Sequence, residues 1–161
     1  QAINKHIIDN IQFYIKNNYQ ILWQCGTTDF EMIKHKINHQ SIKVTKFIDN
    51  MSLAYSSADI VISRAGAIAI SELLFFQKAM ILIPFPSAAE NHQNFNANYI
   101  INKKACKKID QEELSSGILE LSVKEILEDN NQIKLLENNA KNISKPYATK
   151  NIVYDILESI S

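Results

Sequence analysis

Apolar residues recur at helical spacing at Ile3, Ile7, Ile8, Ile11 and Ile15, which predicts an amphipathic helix over residues 2–17 that stops at Asn17-Asn18. The short apolar stretch at 20–24 (QILWQ) reads as a strand closed by Cys25-Gly26, and Asp29 as the cap of a helix running to about residue 38. Residues 41–47 form a second strand, and Asp49 opens a short helix through Tyr55. The run at 58–63 is almost continuously apolar, the pattern of a strand covered on both faces in a parallel sheet, and its partner is 79–84. Between them, 67–77 fits a crossover helix, so this unit reads as a right-handed βαβ. A helix over 91–102 and a short strand over 105–109 follow. Helices over about 111–128, 130–143 and 148–160 complete the pattern, with Pro146 as the break before the last.

Strands alternating with helices predict an α/β fold, an open, doubly wound parallel sheet whose ligands sit beyond the carboxyl ends of the strands. Arg64 and the segment from Pro84 onward fall there. The 161 residues suit one domain and one core, with no repeat or linker. Hydrophobic residues make up 46%, yet no apolar run approaches the roughly 20 residues a bilayer span needs, so the chain reads as soluble and cytosolic. Seventeen basic and seventeen acidic residues cancel, so no nucleic acid partner is expected and any ligand must be held locally. Cys25 and Cys106 lie far apart in no metal or redox spacing and read as buried thiols.

The candidate chemistry is concentrated in residues 58–97, ADIVISRAGAIAISELLFFQKAMILIPFPSAAENHQNFNA. Gly66 falls between a strand and the helix starting near Ala67, and the N–H groups of Ala67, Ile68 and Ala69 at that helix start form an anion site suited to a diphosphate. Glu72, one turn on and on the face of Ile68, can accept both hydroxyl hydrogens of a ribose; compensation of the helix dipole is its ordinary alternative. Arg64, the one arginine of the chain, can hold a phosphate or carboxylate with its planar fork, or close a strand end by an ion pair. Glu90 or Asn91 can cap the next helix, which puts His92 and Gln93 in its first turn. Uncharged groups such as Gln93 satisfy the fixed hydroxyl and acetamido array of a sugar without a heavy desolvation cost.

RAGAIAISE, followed after a strand by IPFPSAAENHQNFNA, resembles the donor-binding half of the MurG family of cell-wall glycosyltransferases. The resemblance extends to WQCG at 23–26, VTKFIDNM at 44–51 and ADIVISRAGA at 58–67, and so spans nearly the whole chain. It implies the C-terminal Rossmann-like half of a GT-B enzyme over 1–161, an inverting hexosyltransferase that moves N-acetylglucosamine from UDP-N-acetylglucosamine to lipid-linked muramoyl pentapeptide. Cell-wall biogenesis, cell shape and cell division are the processes it implies. On that resemblance the backbone at Ile48 reads the uracil edge, Ala67, Ile68, Ala69 and Ile70 with the neighbouring Gly66 and Ser71 cradle the diphosphate, Glu72 holds the ribose, His92 and Gln93 hold the sugar, and Arg64 supports the glycine loop. No divalent metal or other cofactor is implied. The nearest approaches to a D-x-D motif, Asp29-Phe30-Glu31 and Asp110-Gln111-Glu112, sit at helix starts, where capping explains them.

The family carries a strand and a Gly-Gly-Ser-x-Gly-Ala loop before the helix that opens here at Gln1, and that strand is central in the usual order. It is absent here, as is the acceptor half with the family's general base and membrane-facing patch. The expectation is therefore a sheet that lacks its first central strand, with a gap between the 20–24 and 58–63 strands or a strand supplied by another copy or segment. No catalytic residue is expected in this chain, which should not turn over alone. Its last helix, about 148–160, should pack toward the acceptor half, and the full protein should sit peripherally on the cytoplasmic face of the inner membrane. Two other readings stand beside this one: the donor subunit of a split transferase, and a noncatalytic nucleotide-sugar sensor or α/β interaction module. His35 and His39 with Glu31, and Lys103, Lys104, Lys107 and Lys108, read as solvated surface rather than metal or lipid sites.

Overall fold

The computed structural model describes residues 1–160, and its sheet is split. Strands β1 (Ile21–Gln24) and β2 (Ile42–Thr45) pair with each other, and β3 (Ile60–Ser63), β4 (Ala79–Leu82) and β5 (Lys107–Lys108) form a separate three-stranded sheet in the order β3-β4-β5. Every pairing is parallel. No ladder joins β1 or β2 to β3 among the described residues, so the expected gap between the 20–24 and 58–63 strands is present.

Side chains hold the two sheets together where hydrogen bonds do not. Ala79, Ile81 and Ile83 share one buried cluster with Ile7, Trp23, Ile33, Ile42, Leu119 and Ile126, which spans both sheets. Met80 and Leu82 point the other way, into a cluster with Ile70, Leu73, Ala97, Ile100 and Ala140. That alternation is the period of two expected of a strand covered on both faces, and β4 is buried at each position. β3 is partly exposed at all four of its positions, contrary to its apolar pattern, because it borders the gap and lacks a neighbour on that side.

Helices α1 (Ala2–Asp9) and α2 (Ile11–Lys16) replace the single helix predicted over 2–17. Asn10 breaks it: its side chain bonds the His6 carbonyl at 3.0 Å and its ψ of 14° leaves the helical range. Such local competition with the backbone is typical of asparagine. Trp23 Nε1 donates to Asn4 Oδ1 at 3.0 Å, and Asn4 Nδ2 donates to the Cys25 carbonyl and Asp29 Oδ2. Asp29 is therefore a first-turn partner of α1 and does not cap α3 (Thr27–Lys36), whose cap position is Gly26 at a φ of 82°. Likewise Asn50, not Asp49, caps α4 (Met51–Ser57), accepting from the Leu53 N–H at 2.9 Å.

The crossover α5 (Ala67–Phe75) ends two residues before its expected limit, at a left-handed Gln77. A 3₁₀ turn at Ala89–Asn91 precedes α6 (His92–Asn102). The stretch predicted as one helix over 111–128 divides at Gly117, with a φ of 77°, into a 3₁₀ segment (Gln111–Ser116) and α7 (Ile118–Glu128). Asp110 caps the first piece in a reciprocal pair with Glu113, as its position at a helix start implied. His6 Nε2 and the Tyr14 hydroxyl both meet Glu120 Oε1, at 2.8 and 3.1 Å, and tie α1 and α2 to α7. α8 (Asn130–Ile143) packs Leu136 into one cluster and Ala140 into the other, whereas α9 (Ala148–Ser159) buries no side chain. No helix among the described residues is long and apolar enough to cross a membrane.

The division between core and rim can be measured. Ile81→Ala, at a fully buried position, should cost about 2–5 kcal/mol in chemical denaturation. Ile68→Ala, at a residue 78% exposed beside the crossover turn, should stay within about 0.5 kcal/mol.

Candidate functional site

Parallel pairing sends the loops that follow β3 and β4 out of the sheet at one level, since Ser63 is level with Leu82. The first of these loops is Arg64-Ala65-Gly66. Gly66 occupies the cap position of α5 with a φ of −70°, and the first helical bond runs from the Ile70 N–H to the Gly66 carbonyl. The N–H groups of Ala67, Ile68 and Ala69 therefore have no acceptor within the helix and point out of its end together with the positive end of its dipole. The backbone at Gly66 is one any residue adopts, and a Cβ built there meets nothing within 4 Å. Neither conformation nor packing within the chain demands a glycine here, and the open approach suits a group that contacts the backbone from outside.

Glu72 lies one turn along the same helix. Tyr55, in the last turn of α4, donates its hydroxyl to Glu72 Oε2 at 2.8 Å, and Glu72 Oε1 has no hydrogen bond among the described residues. Desolvation, with the neighbouring carboxylate adding to it, drives the Tyr55 pKa well above the ordinary phenol value, so the hydroxyl remains the donor. The bond joins α4, which follows β2, to α5, which follows β3. The Ile48 N–H donates to Gln24 Oε1 at 2.9 Å, from the carboxyl end of β1.

Arg64 points away from the α5 start. Its Nη1 donates to the carbonyls of Ile83 and Pro84 at 3.2 and 3.0 Å, its Nη2 donates to Gln111 Oε1 at 2.6 Å, and its guanidinium lies 5.3 Å from the Phe85 ring. No carboxylate closes it, so the ion pair that serves as its alternative reading is not formed among the described residues. The arginine staples the loop after β4 to the loop after β3 and also reaches Gln111. Burial lowers its pKa from the ordinary value.

The second loop leads into α6. Gln93 Oε1 accepts from the Phe85 N–H at 3.0 Å, and its Nε2 makes no hydrogen bond among the described residues. His92 is exposed, and its Nδ1 lies 2.7 Å from the Ala89 carbonyl, to which it donates. Glu90 and Asn91 both have positive φ, near 50°, and turn the chain sharply before the helix. Asn91 takes the cap position but its Oδ1 accepts from Asn94 rather than from the backbone. Asn96 Nδ2 donates to the Ala65 carbonyl at 3.0 Å and clamps α6 against the glycine turn. A groove of about 280 Å³ between α5 and α6 is lined by Ala67, Ser71, Phe95 and Tyr99, among others. A second hollow, of about 270 Å³ and lined by Gln20, His39 and Ser41, opens at the amino ends of β1 and β2, away from these loops.

Of the sequence-derived residues, Gly66 caps α5 and Ala67 to Glu72 lie on it, His92 and Gln93 open α6, which Asn96 holds against the glycine turn, Arg64 bonds the loop after β4, and Ile48 follows β2 and bonds the end of β1. Sequence reasoning missed Tyr55, Gln24, Asn96 and Gln111, which hold these elements in place. Only Gln24 carried a signal, a polar residue closing an apolar strand just before Cys-Gly. Elsewhere, Glu31 pairs with Lys46 at 3.3 Å, Lys107 with Glu125 at 2.9 Å and Lys108 with Asp110 at 3.0 Å.

A parallel α/β body whose strand ends present a glycine-capped helix start is the architecture in which such domains hold phosphate-bearing ligands. Residues 1–159 match the model of the glycosyltransferase family 28 C-terminal domain, and the chain belongs to that family. Among its relatives is the UDP-N-acetylglucosamine--N-acetylmuramyl-(pentapeptide) pyrophosphoryl-undecaprenol N-acetylglucosamine transferase of Flavobacterium psychrophilum, 38% identical over 99% of this chain and 43% of the relative. The enzyme of the same name from Thermodesulfovibrio yellowstonii is also 38% identical, over 99% of this chain and 44% of its own length. The crystal structure of MurG from Acinetobacter baumannii superposes with a TM-score of 0.78 at 25% identity, covering 96% of this chain and 46% of that one. The chain thus spans a little under half the length of these relatives.

The stapling role of Arg64 has a direct consequence. Arg64→Ala leaves the carbonyls of Ile83 and Pro84 and the Gln111 amide without their donor, and should lower stability by about 1–3 kcal/mol. Amide exchange in residues 84–91 should speed up more than in α7.

Proposed function

We propose that this chain is the donor-binding part of a glycosyltransferase that moves N-acetylglucosamine from UDP-N-acetylglucosamine to a lipid-linked muramoyl pentapeptide, a step of peptidoglycan synthesis. The observation that carries the reading is the convergence on one rim of a free helix start, a half-engaged carboxylate and a polar helix opening. The names of relatives that match nearly the whole chain support it from outside.

In this reading the free N–H groups of Ala67, Ile68 and Ala69 receive the diphosphate, with Ile70 and the Ser71 hydroxyl beside them in the same helix start and with the α5 dipole and the open approach at Gly66 in place of a metal ion. Glu72 accepts the ribose hydroxyls through Oε1 and the remaining lone pair of Oε2. The uracil edge pairs with the backbone of Ile48, where the base takes over the N–H now bonded to the Gln24 amide. Gln93 offers its amide hydrogens and His92 its exposed ring to the sugar. Arg64 acts from behind by fixing the loop. Because these groups hold the leaving UDP, they favour departure of the nucleotide as the acceptor hydroxyl attacks from the opposite face of the anomeric carbon, with inversion.

The acceptor, its general base and the peripheral attachment to the cytoplasmic face of the inner membrane belong, in this reading, to the other half of a longer protein. The apolar residues of α9, Ile152, Val153, Ile156 and Leu157, are exposed and form the side we propose packs toward that half.

Isothermal titration tests the reading. UDP and UDP-N-acetylglucosamine should both bind. Glu72→Ala should weaken both ligands by about tenfold or more. Gln93→Ala should weaken only the sugar-bearing ligand. Absence of heat with either nucleotide, or equal losses for both ligands in both variants, would contradict it.

A further inference from the structure

We propose that Tyr55 is a positioning residue for the ribose of the donor, holding the Glu72 carboxylate in the orientation that accepts both ribose hydroxyls. The inference rests on the site reading above and adds a residue to it.

The geometry separates this role from the mere satisfaction of a buried hydroxyl. Tyr55 is 6% exposed, its ring lies 5.3 Å from that of Phe76, and it packs in the cluster that contains Leu73, Met80 and Leu82. A tyrosine has two side-chain torsions, and packing on the ring fixes both, so the hydroxyl is delivered to one point in space. At that point it meets the end of a flexible carboxylate from another helix, at 2.8 Å, rather than a backbone carbonyl of its own segment. Left alone, a glutamate on a helix surface samples many rotamers and loses that freedom when it binds a ligand. Bonded through Oε2 to a fixed phenol, Glu72 loses it at folding, while Oε1 keeps its full acceptor capacity.

The location of the bond adds a second consequence. α4 follows the Ile48 turn within three residues and is capped at Asn50, and α5 follows Gly66 directly. The Tyr55 to Glu72 bond is thus a strut between the element beside the base-reading backbone and the element that carries the ribose and diphosphate groups. It sets the spacing between base and ribose contacts, a distance the rigid nucleoside itself prescribes.

Tyr55→Phe removes the hydroxyl and leaves the ring packing in place. In the full-length protein, UDP affinity should fall about tenfold, while affinity for 2′,3′-dideoxyuridine diphosphate, which lacks both hydroxyls, should stay within about twofold of the unsubstituted protein. In a Glu72→Ala background, Tyr55→Phe should have no further effect on UDP. Unchanged UDP affinity in Tyr55→Phe alongside a loss in Glu72→Ala overturns the inference and leaves the site reading intact. An equal loss for UDP and its dideoxy analogue assigns Tyr55 a structural role only and also overturns it. Glu72→Ala without effect on UDP removes the carboxylate's role, and the inference with it. Should Tyr55→Phe fail to fold, 3-fluorotyrosine placed at position 55 alone supplies the readout: its ¹⁹F signal should shift with UDP and stay still with the dideoxy analogue, and equal responses contradict the proposal.

Discussion

The register of β4 against β3 is the constraint on which the rest depends. β4 is paired on both sides, buried throughout, and sends alternate side chains into the two core clusters. A slip of one residue would exchange those faces and move Ile81 and Met80 into each other's environments. With Ser63 held level with Leu82, the loops carrying Gly66 and Phe85 leave the sheet together, and Arg64 can reach across to the carbonyls of Ile83 and Pro84. The rim is a consequence of that pairing before it is a property of any one side chain.

The split sheet shows how much a shared core can do without a continuous ladder. Ile7, Trp23 and Ile33 from the β1-β2 side pack with Ile81 and Ile83 from the other, and the Asn4 and Glu120 networks add polar ties between α1, β1 and α7. Across the same divide the Tyr55 to Glu72 bond joins α4 to α5. Packing thus carries the fold, and a few side-chain bonds carry the relative placement of the site residues.

What was legible in the sequence follows from which signals are local. Apolar runs located the strands and apolar periodicity the first helical stretch, because burial on one face or two leaves a pattern that needs no partner to be read. Boundaries were less legible where a polar side chain competes with the backbone. Asn10 splits a helix that the isoleucine spacing presents as continuous, and Asn50 and Gly26 take the cap positions that Asp49 and Asp29 resembled. The burial of β3 was overstated since an apolar run does not reveal that one neighbour is missing. Within the site, Gly66, Glu72 and Gln93 stood out through their positions after strands and at helix starts. Tyr55, Asn96 and Gln111 did not, because their roles are contacts across 17, 31 and 47 residues of chain that no spacing rule encodes.

In the proposed complex one ligand touches the start of α5 and the start of α6 together. Amide chemical-shift perturbation by UDP-N-acetylglucosamine in isotope-labelled protein measures it residue by residue. The largest shifts should fall at 67–70, at 48 and at 92–93, with those at 92–93 missing when UDP replaces the sugar nucleotide. Shifts gathered instead around the hollow at Gln20, His39 and Ser41, or no saturable shifts at 67–70, would contradict it.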